Sequence, residues 1–325
     1  MATVWQARVA RVERTRAEQR FNDVRKLANS FMFEFHDAIV NLPGSTPARE
    51  LVVKRALEYI DGLAREAEGD TSLQRELATA YQKVGEVQDR WDSPSLGDTA
   101  GALESHRKAL SIREALVASS VATREDRRDL AVSYSRIGDV LWARNDSTGQ
   151  LESYRKGVVI DEALVAEDPT DQQALRNLVT DYYNVGYALF EIGDLSGALE
   201  TFRKERATVE SLAAADPTNP GVKLDVARSH TNIGYVLDAT GDFDGALESH
   251  RKAVVISEEL SAIDPSNSKA RGTLVTSYFR IGGTMKRAGD LTESLVNHRK
   301  SLSLAEALLA ADQTNAQAHR TLART

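Results

Sequence analysis

The stretch YYNVGYALFEIGDLSGALETFRK at residues 182–204 returns in the same frame as HTNIGYVLDATGDFDGALESHRK at residues 230–252. Its closing Arg-Lys dipeptide occurs at Arg107-Lys108, Arg155-Lys156, Arg203-Lys204, Arg251-Lys252 and Arg299-Lys300, a constant interval of 48 residues. Gly138, Gly186, Gly234 and Gly282 keep that interval, each 31 residues after the preceding arginine. A register held this long marks an array of supersecondary units, each able to bury its apolar face only against its neighbours. Function is then to be sought on the surface that stacking creates.

Within one period, Leu178, Tyr182, Val185, Gly186 and Leu189 fall on one helical face, and Gly193-Asp194 breaks the pattern. This predicts a helix A. Ala198, Leu199, Phe202 and Leu212 resume helical spacing until Asp216-Pro217, which predicts a helix B. The recurrent Asp168-Pro169-Thr170, Asp216-Pro217-Thr218 and Asp264-Pro265-Ser266 are expected to supply N-caps to the next helix A. The glycine is expected to let helix B approach closely, with the small residues Ala102, Ala198, Ala246 and Ser294 as its contacts. Glu104–Lys108, Glu152–Lys156, Glu200–Lys204 and Glu248–Lys252 are expected to pair at i, i+4 on a solvated outer face. The expected fold class is therefore all-α: antiparallel helix pairs of 48-residue period.

Tyr182, Val185, Gly186, Leu189, Ala198 and Phe202 occupy the spacing of the tetratricopeptide repeat signature, and Tyr134, Ile137, Gly138 and Leu141 do so again. The chain resembles that family. The resemblance implies a TPR-like right-handed superhelical solenoid, although a 48-residue unit exceeds the family's usual ~34. The units divide as a basic N-terminal lead-in helix at 1–17, a divergent first helix pair at 18–69, five repeats at 70–312 and a partial further helix at 313–325, all in one solenoid domain. In the divergent pair, helix A would hold Leu27, Phe31, Phe35 and Ile39.

A second likeness begins at Phe21-Asn22-Asp23-Val24-Arg25-Lys26-Leu27 and continues through Leu42-Pro43-Gly44-Ser45-Thr46-Pro47 to Arg55-Ala56-Leu57-Glu58-Tyr59. It resembles the segment after the membrane span in bacterial transmembrane serine/threonine protein kinases with tetratricopeptide tails. The resemblance implies a sensor or scaffold arm following a span that this chain does not contain. A single span would put the arm outside the cytoplasm, whereas the seven Arg and Lys against three acids in residues 1–26 pull the other way. Both placements stay open.

Chemistry is sparse. Cysteine is absent, and no phosphate-binding glycine loop, G-x-S-x-G elbow or H-E-x-x-H motif appears, so no enzyme, cofactor or metal is expected. The net charge of −7 argues against a nucleic-acid partner. His106, His250 and His298 share one repeat position with Tyr154 and Phe202, which predicts a flat ring packed between helices rather than a metal ladder. Asn145-Asp146-Ser147 matches a glycosylation sequon and is read as a turn.

In the tetratricopeptide fold the groove is lined by helix A residues 3 before, 1 after and 4 after the glycine. By that resemblance the candidate partner-binding residues are Trp142, Tyr183, Tyr187, Phe190, Tyr235 and Phe279, with Asn184 and Asn232 to hold a ligand backbone. Exposed aromatic rings there would anchor a protein or peptide partner. Buried, they would instead pack the repeats together. The expected function is a non-catalytic protein-interaction module, and the alternative is a self-association element that brings attached signalling domains together as a homo-oligomer.

Overall fold

The computed structural model describes residues 44–65, 67, 69–89 and 95–311, together with Glu34, residues 38–40, Leu42 and His319. The lead-in helix at 1–17, most of the first predicted helix A, residues 90–94 and most of the partial helix at 313–325 lie outside the described residues. Eleven helices and no strand occur among the described residues: α1 (Thr46–Ala64), α2 (Thr71–Gln88), α3 (Thr99–Ala118), α4 (Arg124–Ala143), α5 (Ser147–Glu167), α6 (Gln172–Glu191), α7 (Leu195–Ala215), α8 (Pro220–Ala239), α9 (Phe243–Ile263), α10 (Ser268–Arg287) and α11 (Leu291–Ala311). Even-numbered helices are the predicted helix A and odd-numbered ones helix B, each 18–21 residues long. None is long and apolar enough to cross a membrane. The helices gather into two compact units, Met1–Asp146 and Ser147–Thr325.

The turn from A to B has one backbone device. Gly97, Gly193, Gly241 and Gly289 have φ between +74° and +90°, and Asn145, with φ of 58°, fills the same slot in the second repeat. Only glycine, and less readily asparagine, enters this left-handed region without strain, so Asn145-Asp146 is the turn the sequence suggested. The following aspartate caps helix B, as where Asp194 Oδ1 accepts the Gly197 N–H at 2.9 Å. At the other end the expected caps are displaced by three residues. Asp171, Asn219 and Asn267 cap α6, α8 and α10, while Asp168, Asp216 and Asp264 accept the hydroxyls of Thr170, Thr218 and Ser266. Proline after a cap residue does not prevent capping, since Asn219 caps α8 with Pro220 next to it; the earlier aspartates instead close the preceding turn through the Thr or Ser hydroxyl two residues on.

The helix A glycine does admit helix B, but its contact is the ring, not the small residue. A methyl on Gly186 would lie 2.7 Å from Phe202 Cε1, and one on Gly234 would lie 2.6 Å from His250 Cε1. Gly85 and Gly282 meet His106 and His298 in the same way. Ala102, Ala198 and Ala246 are fully buried, yet the ring atoms lie nearer to such a methyl than they do. Gly186→Ala should therefore destabilise the chain by ~1–3 kcal/mol through overpacking, outweighing the ~1 kcal/mol gain in helix propensity. Gly283→Ala has open space at its Cβ and should stabilise by ~0.5–1 kcal/mol. Urea midpoints of the two variants moving in the same direction would refute the ring contact.

Successive repeats are joined by a strut that the apolar pattern did not announce. The hydroxyls of Tyr81, Tyr134, Tyr182 and Tyr278 on helix A donate to Asp61, Glu114, Glu162 and Glu258 on the preceding helix B at 2.6–2.7 Å. Burial and then the adjacent carboxylate push the Tyr134 and Tyr278 hydroxyls up to about 12. The outer face carries the predicted Glu–Lys pairs at 2.6–3.7 Å, exposed and each worth only ~0.2–0.5 kcal/mol.

Candidate functional site

Five of the six candidate rings, and both asparagines, lie on α6, α8 and α10 of the second unit. Tyr183 and Tyr187 are one turn apart on α6, remain 41% and 37% exposed, and stack with ring centroids 6.3 Å apart. Phe190, one turn further on, is half-buried and packs on Tyr235 of α8 at 4.4 Å. The guanidinium of Arg280 on α10 sits 3.9 Å from the Tyr235 ring centroid, so Phe190, Tyr235 and Arg280 link three A helices. Arg280 has the repeat position of Asn184 and Asn232. Phe279 is half-buried and turned edge-on to His298 at 5.2 Å, which makes it part of the packing between α10 and α11. The sixth candidate ring, Trp142, is 40% exposed but belongs to α4 of the first unit.

The two asparagines differ. Asn184 is half-buried and makes no side-chain hydrogen bond to another described residue. Asn232 donates its amide to both oxygens of Glu205 on α7, at 3.2 and 3.1 Å. Glu205 is 4% exposed, and burial pushes its carboxyl up to about 7 against the opposing pull of Asn232 and Arg228. The repeat explains the difference, because the residue 27 positions before Asn184 is Gly157. The apolar reading passed over Glu205, yet its slot holds Ala109, Gly157, Ala253 and Ser301 in the other repeats, and that departure was visible in the sequence.

In the first unit the corresponding face is polar. Buried Arg113 donates to Gln82 Oε1 and Ser133 Oγ, both at 2.6 Å, and Arg136 pairs with Glu86 at 3.3 Å and Asp139 at 3.2 Å. Burial lowers Arg113 from its ordinary value. Those cations are already engaged by the chain's own acceptors. Trp142 is the one candidate ring of the first unit, and the other five belong to the second.

The shared histidine position is core, as its ring neighbours suggested. His250 is fully buried, neither ring nitrogen has a hydrogen-bond partner, and burial pushes it down to about 3. His106 is held at about 4, first by burial and then by Arg136 and Arg113.

Residues 226–264, spanning most of α8 and all of α9, match the tetratricopeptide repeat family. No curated protein sequence matches the chain. Among solved structures, BtubC (BKLC) from P. vanneervenii superposes with a TM-score of 0.59 at 17% identity, over 79% of this chain and 90% of that one. A Podosopora anserina putative kinesin light chain with nearly identical TPR-like repeats gives 0.48 at 16% identity, over 74% of this chain and 96% of that one. YrrB, a TPR protein with an unusual peptide-binding site, gives 0.40 at 14% identity, over 79% and 95%. The chain is thus a helix-pair repeat protein of the TPR-like solenoid fold.

Proposed function

We propose that the chain is a non-catalytic interaction module whose α6–α8–α10 face takes a protein or peptide segment. The observation that carries this reading is the stacked Tyr183–Tyr187 pair, left exposed beside the unengaged amide of Asn184. Tyrosines present large area at low entropic cost, and an asparagine amide matches a peptide backbone. Phe190 and Tyr235 form the floor, and Phe279 packs edge-on against His298 instead. The likeness of residues 21–59 to transmembrane serine/threonine kinases supports a further role as the sensor or scaffold arm of such a protein. Self-association has no specific observation in its favour here.

The test uses random decapeptides displayed and selected on the whole chain. Tyr187→Ala should weaken the selected peptides by ~2 kcal/mol or more, the hot-spot range, with a smaller drop in melting temperature than a fully buried ring would give, because Tyr187 is 37% exposed. Tyr235→Ala should lower melting as well, since Phe190 and Arg280 pack on that ring. Selected peptides indifferent to Tyr187→Ala in a folded chain would place binding elsewhere.

A further inference from the structure

Glu205 is where this unit departs from its own repeat. The other four units place Ala109, Gly157, Ala253 and Ser301 in that slot, so the helix-pair packing does not require a carboxylate there. A side chain 4% exposed that must carry or suppress a charge is costly unless a cation meets it. No cation does. Its hydrogen bonds come from the neutral amide of Asn232, and the nearest guanidinium, Arg228, is exposed and paired with Asp225 at 3.6 Å. An ionised carboxylate accepts about four hydrogen bonds, and Asn232 supplies two. Tyr183, whose hydroxyl environment includes Glu205, and its stacked neighbour Tyr187 provide aromatic faces alongside.

We propose that Glu205 is the recognition carboxylate for a lysine or arginine side chain carried by the segment that crosses Tyr183 and Tyr187. The inference rests on the reading of this face as a binding surface. The methylene stem of such a residue would lie along the tyrosine rings while its head reaches the carboxylate. Taking over Glu205 would release the Asn232 amide toward the main chain of the incoming segment, the role its position in the repeat suggests. An anion would be repelled, and a single carboxylate is too few ligands for a metal ion. The groups facing Glu205 are Tyr183 from α6 and Asp225, Arg228 and Asn232 from α8. Burial pushes Glu205 itself up to about 7, so binding should weaken as pH falls through that value.

Decapeptides selected on the full chain should share one Lys or Arg. Replacing that residue by Met should weaken binding at least about tenfold at pH 8. Glu205→Gln should cost the same factor, abolish the loss of affinity between pH 8 and pH 6, and add nothing to the peptide substitution in a double-mutant cycle. Glu205→Ala, which copies Ala109 and Ala253, should reproduce these results in a chain whose fold tolerates alanine at this slot. Peptides that need Tyr187 but share no basic residue, or that bind Glu205→Gln unchanged, overturn this inference and leave the binding face standing. A selection yielding no peptide sensitive to Tyr187→Ala overturns both.

Discussion

Replacing His250 with phenylalanine is expected to stabilise the chain at neutral pH and to stabilise it further in acid. Phe202 already fills the same slot over Gly186, so the ring fits. At pH 7 the gain comes from removing two buried ring nitrogens that have no hydrogen-bond partner, worth ~1–3 kcal/mol. The acid term follows from linkage. Burial holds His250 at about 3 in the folded chain, against an ordinary 6.5. As pH falls from 6.5 toward 3, the unfolded chain takes up a proton that the folded chain refuses, and native stability is lost by ~1.4 kcal/mol per pH unit. At pH 5 the variant should therefore have gained ~2 kcal/mol on the parent beyond its advantage at pH 7. His106, held at about 4, contributes a similar slope that the variant retains. Urea denaturation of both chains at pH 7 and pH 5 reads the difference, and parallel pH dependences would mean that His250 is protonated in the fold.

Glu205→Ala should show the opposite pH dependence. The carboxyl is pushed up to about 7 from an ordinary 4.5, so the stability it contributes is full below 4.5 and is lost as pH rises to 7. Over that window the parent loses ~3 kcal/mol that the alanine variant keeps. The variant's stability relative to the parent should therefore improve by roughly that amount between pH 4.5 and pH 8. A Glu205 variant that tracks the parent across the range would show that the carboxylate is solvated after all.

Interval and punctuation were enough to read most of the architecture from the chain. The 48-residue register placed the helices from α3 onward, while α1 and α2 lie off it because Gly85 stands 53 residues before Gly138, and Gly193-Asp194 and Asp216-Pro217 marked the ends of α6 and α7 within two residues. What failed was partner assignment across helices. Gly186 and Ala198 look complementary because both are small, but the geometry of crossing helices sets the Phe202 ring, a turn further along, against the glycine. The caps moved from Asp216 to Asn219 because a local sequence rule does not say which of two polar residues the helix start will use. Candidate rings were legible as positions, yet exposure separated Tyr183 and Tyr187 from Phe279 only once the packing of α10 on α11 was known. Glu205 was missed by reading for apolar periodicity, since a polar residue in a buried slot shows only when the repeats are compared with one another.

The tyrosine–carboxylate struts bear on how such a chain can change its length. Asp61–Tyr81, Glu114–Tyr134, Glu162–Tyr182 and Glu258–Tyr278 are the same junction at four places, each spanning 20 residues. A gene that lost or duplicated one 48-residue period between two of these junctions would rejoin a tyrosine to an acid and a ring to a glycine, and the new neighbours would interlock as the old ones did. The fourth unit is the exception, because His230 stands in the tyrosine's place. Recombination through that unit would mismatch the junction, so copy number should drift most easily on either side of it, and the aromatic face it helps to form would be carried along intact.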